Sequence, residues 1–398
     1  MTTASPLYHT IVSLLAPAPW RDRRHLTTLA WMVVGLLSSG WSGLSEWVPY
    51  VHSRAQVAAS TWRRFRRWLA NRRVDVHHLY GALLQPVLAE LDASRLYVVL
   101  DTSLRWNRWC LIRLGLVYRG RTLPLVWKVI DHRSSRVAFR AYRGWLRLAE
   151  RRLPPGRDIV RLADRGFMQV ELMAWIHRQA RWHLRVRIKR AGLNLYVHRR
   201  GWYRRLTLQT RAGEVAFYHH VYVGPQRLEM HLAVGWQRGQ REPWLILSDE
   251  PTDRDTLAEY GQRFRIEENF LDDKSNGFQL ESSPLRDART LTRLLLVLAV
   301  ATLYLTCQGA AVVAQGQRRR IDTHGFRGHS YLRLGWHWLR YALAHGEALL
   351  QRLTLGALQD PDPAQVSRRQ GQQKRQQARW MDPLPACYAL LLPVLEAA

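Results

Sequence analysis

The sequence predicts an α/β fold with helical regions at its N- and C-terminal ends, on three observations. Apolar residues recur at helical spacing through residues 1–92; three apolar runs joined by short turns follow Arg95; and strand-like and helix-like segments then alternate before a strand-rich stretch at 181–249. With 398 residues, 47% of them hydrophobic, the chain is long enough for more than one domain and too apolar to be largely disordered.

The first 92 residues carry the helical pattern in HLTTLAWMVVGLLSSGWSGLSEWV and in LYGALLQPVLAELDA. Between them lies STWRRFRRWLANRRVD, where Ser60 is the expected N-cap. Trp62, Phe65 and Leu69 share one face of this helix, while Arg63, Arg64, Arg67 and Arg72 point elsewhere. Such a helix can lie on a phosphate backbone or in a groove, so residues 1–92 are a candidate DNA-binding region. A solvated amphipathic helix packed on its neighbours is the alternative.

From Arg95, RLYVVLD reads as a strand ending at Asp101, followed by CLIRLGLVY and RTLPLVWKVI with a turn at Arg119–Arg121. These three make an antiparallel meander. A helix is expected over Val137–Arg152, a strand in RDIVRLAD ending at Asp164, and a helix in MQVELMAWIHRQ. Six strand-like runs then fill 181–249, which reads as a β-rich insertion at about 185–245 carrying its own sheet. A helix opens near Thr252, and further helices fill 283–355. The run Leu294–Cys307 is shorter than the roughly 20 residues of a membrane span and reads as a buried core helix. Residues 356–398, with SRRQGQQKRQQAR, read as a flexible basic tail.

Charge narrows the partners. Sixty Lys+Arg against 31 Asp+Glu leave a net charge of +29, and such an excess points to a polyanion, foremost nucleic acid. Lysines are few (Lys128, Lys189, Lys274 and Lys374), so each is less of an accident. Cys110, Cys307 and Cys387 match no zinc spacing and suit a reduced compartment. The N-terminus is a poor signal peptide, so a cytoplasmic location and no membrane partner are expected.

The candidate chemistry lies in carboxylates. Asp101 and Asp164 each end an apolar strand, where an open α/β sheet binds ligands. Gly166 permits a tight turn after Asp164, and Arg165 is placed to contact phosphate. On the helix after Thr252, Tyr260, Arg263, Glu267 and Lys274 stand at i, i+3, i+7 and i+14, within roughly a 60° arc of one face. Leu257, Phe264 and Leu271 are the expected core stripe beside it.

The Tyr-x2-Arg-x3-Glu-x6-Lys string, with LDTS around Asp101 and ADRGF around Asp164, resembles the DDE transposases of the insertion-sequence-four family over about residues 20–345. The resemblance implies a ribonuclease H-like catalytic core, here 93–355, interrupted by the β insertion. It implies that Asp101, Asp164 and Glu267 bind two Mg²⁺ or Mn²⁺ ions, while Tyr260, Arg263 and Lys274 grip phosphates. Two such ions activate water and stabilise the leaving 3′ oxygen, which cuts DNA; a freed 3′-OH then joins it to a target. Relatives can pass through hairpin ends with a flipped base held on an insertion Trp; Trp236 and Trp244 are candidates, Trp236 preferred. A homodimer on paired double-stranded ends is implied. A ribonuclease H-like nuclease without strand transfer and an inactive DNA-binding descendant remain the alternatives.

Overall fold

The computed structural model describes residues 5–52, 55–178, 182–189 and 194–364. Most of the expected basic tail, including Lys374 and Cys387, lies outside the described residues.

The N-terminal region is helical: α1 (Pro6–Leu15), α2 (Arg23–Ser39), α3 (Leu44–Trp47), α4 (Ala58–Ala70) and α5 (Val76–Ala89). Asp22 caps α2 by accepting from the Arg24 amide, and Gly40 ends it in the left-handed region at φ 78°. Ser60 is not the cap of α4: the helix begins at Ala58 after extended Val57, which places Ser60 inside it. Phe65, Trp68 and Leu69 turn into the core, and Arg63, Arg66 and Arg67 face solvent.

A ten-stranded sheet follows. Its strands are β1 (Arg95–Arg105), β2 (Trp109–Tyr118), β3 (Arg121–Asp131), β4 (Asp158–Ala163), β5 (Trp182–Arg187), β6 (Leu195–Arg199), β7 (Trp202–Arg205), β8 (Val215–Val223), β9 (Leu228–Gly235) and β10 (Trp244–Ser248). The spatial order is β3-β2-β1-β4-β5-β10-β9-β8-β6-β7. The expected meander is β1–β3; β4 and β5 run parallel to β1, reached through α6 (Phe139–Glu150) and α7 (Val170–His177). The insertion does not carry a sheet of its own. β10 returns antiparallel to β5, and β9 and β8 continue pairing on its free edge, so the insertion strands extend the core sheet.

β1 also runs past Asp101. Its β2 partner keeps pairing as far as Arg105↔Trp109, and Trp106 and Asn107 turn the hairpin with positive φ. What stops at Asp101 is the other neighbour: β4 pairs β1 only up to Leu100↔Ala163.

Beyond the sheet come α8 (Arg254–Gly261), α9 (Arg265–Lys274), α10 (Ala288–Ala314) and α11 (Tyr331–His345). α10 is long and apolar enough to cross a membrane, yet 89% of its apolar window is buried inside the protein. It crosses α11 at a glycine pair: a Cβ on Gly309 would lie 2.0 Å from the Tyr331 carbonyl oxygen, and one on Gly335 would lie 1.8 Å from that of Leu305. No larger residue fits either position at that spacing.

Candidate active site

The register of the parallel pair β1/β4 fixes two carboxylates. Leu100 pairs Ala163, so the next residues, Asp101 and Asp164, stand abreast on strands about 4.8 Å apart. Asp164 accepts from the Gly166 amide at 2.8 Å and so caps the 3₁₀ turn Arg165–Phe167. A Cβ on Gly166 would meet Asp164 Oδ1 at 2.9 Å, so a side chain there would push the carboxylate from its place.

Asp101 is buried. Its Oδ1 accepts from the Thr102 amide at 2.7 Å, and its Oδ2 from Arg263 Nη1 at 3.2 Å. Burial pushes its pKa up to about 7; Arg263 opposes the shift, and Asp164 and Glu267 add to it. The like-charge contributions mark the three carboxylates as one electrostatic group.

The helix that brings Glu267 is not continuous. An Asp253–Thr256 capping box starts α8, and a 3₁₀ turn at Gln262–Phe264 separates it from α9. Three residues at about 120° rather than 100° advance the phase by roughly 60°. The expected Leu257–Phe264–Leu271 stripe is therefore broken: Leu257 is buried, Phe264 half-buried, and Leu271 is 42% exposed, while Ile266 and Phe270 take the core positions. Tyr260 and Arg263 turn inward on the near side of the break.

Arg263 is the centre of the arrangement. Nη1 reaches Asp101 and Nη2 reaches Glu267 Oε1 at 2.7 Å, one turn along, where Glu267 is about half exposed at the rim. The guanidinium stands between these two carboxylates, and the ligand oxygens of Asp101, Asp164 and Glu267 do not all lie within 4.8 Å of one another. The donors are hard oxygens on rigid elements, the chemistry that suits Mg²⁺; a shared ion requires Arg263 to release one of its two partners.

Around this core, the Tyr260 ring meets Trp244 edge to face at 5.1 Å. Burial pushes its hydroxyl pKa up to about 12, against Arg263 and Arg187, with Asp164 and Asp101 adding to the rise. Lys274 Nζ donates to the Leu104 carbonyl at 3.1 Å and lies 3.6 Å from Glu281. Half-exposed Arg165 has Glu242 at 3.5 Å. Trp244 also packs on Phe264, with the Arg187 guanidinium 5.8 Å away. Trp236 instead closes its own turn, donating from Nε1 to the Gln240 carbonyl.

Sequence reasoning missed Arg113. It sits opposite Asp101 on β2, fully buried, and donates to Asn269 Oδ1 at 2.7 Å and Asp273 Oδ2 at 2.5 Å on α9. It thereby locks the Glu267 helix onto β2, the strand paired with the one that carries Asp101. Its signal was a lone arginine inside the apolar run CLIRLGLVY, because a buried charge needs a partner. Two of the expected strand runs form the β6–β7 hairpin at the far edge of the sheet, turned by Arg200 and Gly201 at positive φ, but its exposed basic face was not singled out. Arg199 pairs Trp202 and Val197 pairs Arg204, so Arg199, Trp202 and Arg204 share one face; Trp202 is 78% exposed. No acidic residue occurs from 194 to 213.

The family model for the transposase DDE domain matches residues 101–304, just over half of the chain, including all three carboxylates. The chain belongs to this DDE transposase family. Membership makes it a DNA-cleaving and strand-transferring enzyme with DNA as partner; DDE transposases as a family use divalent metals. No curated protein matches the sequence. Among solved structures, the cryo-EM structure of a piggyBac transposase synaptic complex with hairpin DNA is similar over 98% of this chain and 85% of that one, at 9% identity and a TM-score of 0.43.

Proposed function

We propose that this transposase is of the insertion-sequence-four kind and moves its element by cut-and-paste, with Asp101, Asp164 and Glu267 holding two Mg²⁺ or Mn²⁺ ions. One observation carries the assignment: the β1/β4 register sets Asp101 beside Asp164, and Arg263 ties Asp101 to Glu267. The meander β1–β3 continued by parallel β4 and β5 supports a ribonuclease H-like core.

Bound ions would supply an activated water or 3′-OH and stabilise the leaving 3′ oxygen. The chain's own residues do the rest. Asp101 would hold an ion in its ionised form, and its buried setting keeps bulk water away from its inner oxygen. With Asp101 and Glu267 on an ion, Arg263 would have a free fork for a phosphate oxygen, with the Tyr260 hydroxyl, Lys274 and Arg165 as further donors. For a hairpin step, Trp244 is the candidate in contact with Tyr260, and Trp236 lies on the turn leading to its strand. Residues 1–92 and the β6–β7 hairpin are the regions whose exposed arginines meet flanking duplex. A homodimer on paired ends and a nucleoid-associated location complete the proposal.

The test is a cleavage and strand-transfer assay on duplexes carrying the element's ends, with Mg²⁺. Asp101→Asn, Asp164→Asn and Glu267→Gln should each lower cleavage on the order of 10⁴-fold while the thermal transition is kept. Undiminished cleavage by Asp164→Asn would sink the metal assignment. Cleavage with no joining of a supplied 3′-OH end would make the enzyme a nuclease instead.

A further inference from the structure

Away from the acidic site, the loop between Arg320 and α11 gathers Asp322, His324 and His329, whose ligand atoms all lie within 4.8 Å of one another. The sequence spaces them as Asp-x-His-x4-His, a compact set for one loop. The Asp322 side chain is fully buried. Its Oδ2 accepts from Arg318 at 3.2 Å and from the Gly328 amide at 3.1 Å, while Oδ1 accepts from the His324 amide and, at 2.7 Å, faces the His324 Nδ1.

The bland explanation is a loop organised by its aspartate. Arg318 already performs that task, because it also donates to the carbonyls of His324, Gly325 and Phe326. Of the two imidazoles only that of His324 touches Asp322, and the His329 ring makes no part of that backbone scaffold. A Cβ on Gly328 would sit 2.5 Å from His324 Nδ1, so only glycine leaves the ring its place. The His329 ring packs at 5.5 Å from His324 and at 4.9 Å from His337, and His337 is itself hydrogen-bonded to the Ile321 backbone. His329 is thus packed between two other imidazoles, which holds its ring beside that of His324.

We infer that Asp322 Oδ1, His324 and His329 form a binding site for a transition-metal ion of the Zn²⁺ class. Two imidazoles and one carboxylate are the donor set of Zn²⁺, Co²⁺ or Ni²⁺, whereas Mg²⁺ prefers oxygen throughout. The site is thus chemically separate from the carboxylates of the active site. Arg318 neutralises Oδ2 and leaves Oδ1 for the ion, which takes the position of the proton between Oδ1 and Nδ1 and moves those two atoms apart by roughly half an ångström. His324 is 46% exposed, so the fourth ligand position opens to solvent. The ion would pin the loop against the start of α11, whose Arg333, His337 and Arg340 line a cavity of about 200 Å³ together with Trp41.

The experiment titrates the full chain, prepared free of metal, with Co²⁺ followed by visible absorption and with Zn²⁺ by calorimetry. One equivalent should bind, with a Co²⁺ spectrum of low coordination number that a hundredfold excess of Mg²⁺ leaves in place. His324→Gln and His329→Gln should each weaken binding by at least about tenfold, and Gly328→Ala should do so by displacing the ring, all with the metal-free thermal transition unchanged. Asp101→Asn and Glu267→Gln should bind Co²⁺ as the parent does. Absence of the Co²⁺ spectrum, its survival in the histidine variants, or its displacement by Mg²⁺ overturns the site. Loss of the spectrum in Glu267→Gln rather than His329→Gln also overturns it, by placing the ion at the active site, and leaves the transposase assignment standing.

Discussion

The two faces of the central sheet each bury an arginine, and the molecule treats the two differently. On the active-site face, Arg113 is held by Asn269 and Asp273. On the opposite face, Arg161 of β4 is equally inaccessible, but none of its three guanidinium nitrogens has a hydrogen-bond partner among the described residues. Its guanidinium lies 4.6 Å from the Trp182 ring and 5.6 Å from that of Trp175, and burial pushes its pKa down to about 9. The β1/β4 register pairs Arg161 with Val98, three residues from Asp101, which confirms the opposite face. Charge on the active-site face comes in matched networks that set carboxylate geometry. On the far face, aromatic surfaces and the more distant Glu150 carboxylate oppose the desolvation of a cation that has no paired carboxylate against it.

The largest effect should follow from breaking the matched network. Arg113→Ala leaves Asp273 buried without its partner, which should cost about 3–5 kcal/mol in denaturant unfolding. A loss below about 1 kcal/mol would mean that the network is decorative, and the contrast between the faces would fall. By the same logic, Arg161→Met removes a desolvated charge that has no hydrogen-bond partner. The expected result is neutral to stabilising, by up to roughly 1–4 kcal/mol, with cleavage unchanged. A destabilisation comparable to that of Arg113→Ala would show that stacking on two indoles equals an ion pair.

This contrast also explains what could be read from the sequence. The strands, the meander and the helical N-terminal region follow from local periodicity, which depends only on neighbours in sequence. The proximity of Asp101 to Asp164 was legible as two acidic residues after apolar runs. The end of β1 was not, because a strand stops where its partners stop, and β2 carries β1 past Asp101. The core stripe beside Glu267 was not legible, since a 3₁₀ turn leaves little trace in a periodic pattern. That the insertion joins the core sheet depends on β9 pairing β10, a contact that strand propensities do not encode.

Arginines that face water are a third case and should behave unlike both buried ones. On the β6–β7 hairpin, Arg199 and Arg204 flank exposed Trp202 at the sheet edge, six strand spacings from β4, or roughly 29 Å. That reach corresponds to about eight base pairs of duplex. Combined Arg199→Ala and Arg204→Ala should leave folding stability within about 0.5 kcal/mol and lower the salt dependence of DNA binding by close to two phosphate contacts, a slope change of about 1.8. Trp202→Ala should weaken binding by a salt-independent amount. An unchanged slope would remove the hairpin from the DNA path and leave its exposed charge unexplained.

The smallest effect separates the faces by pH. Asp101 keeps its proton up to about pH 7 in the folded chain, against an ordinary value of 3.8. Between those limits the folded state binds more protons than the unfolded one, so this group's contribution to stability is complete below pH 3.8 and is lost as pH rises towards 7. Asp272, raised by burial to about 6, has the same sign, so the Asp101 share is the difference between the parent and Asp101→Asn. Thermal midpoints of the parent should fall more steeply over this window than those of the variant. Mg²⁺ binds the ionised carboxylate and should flatten the parent's profile while leaving the variant's nearly as it was. The far face, where Arg161 keeps one charge state throughout, supplies no slope of its own in that window. A parent and variant with parallel profiles, or a Mg²⁺ response of equal size in both, would detach Asp101 from the cation and return it to the status of a buried ion-pair partner of Arg263.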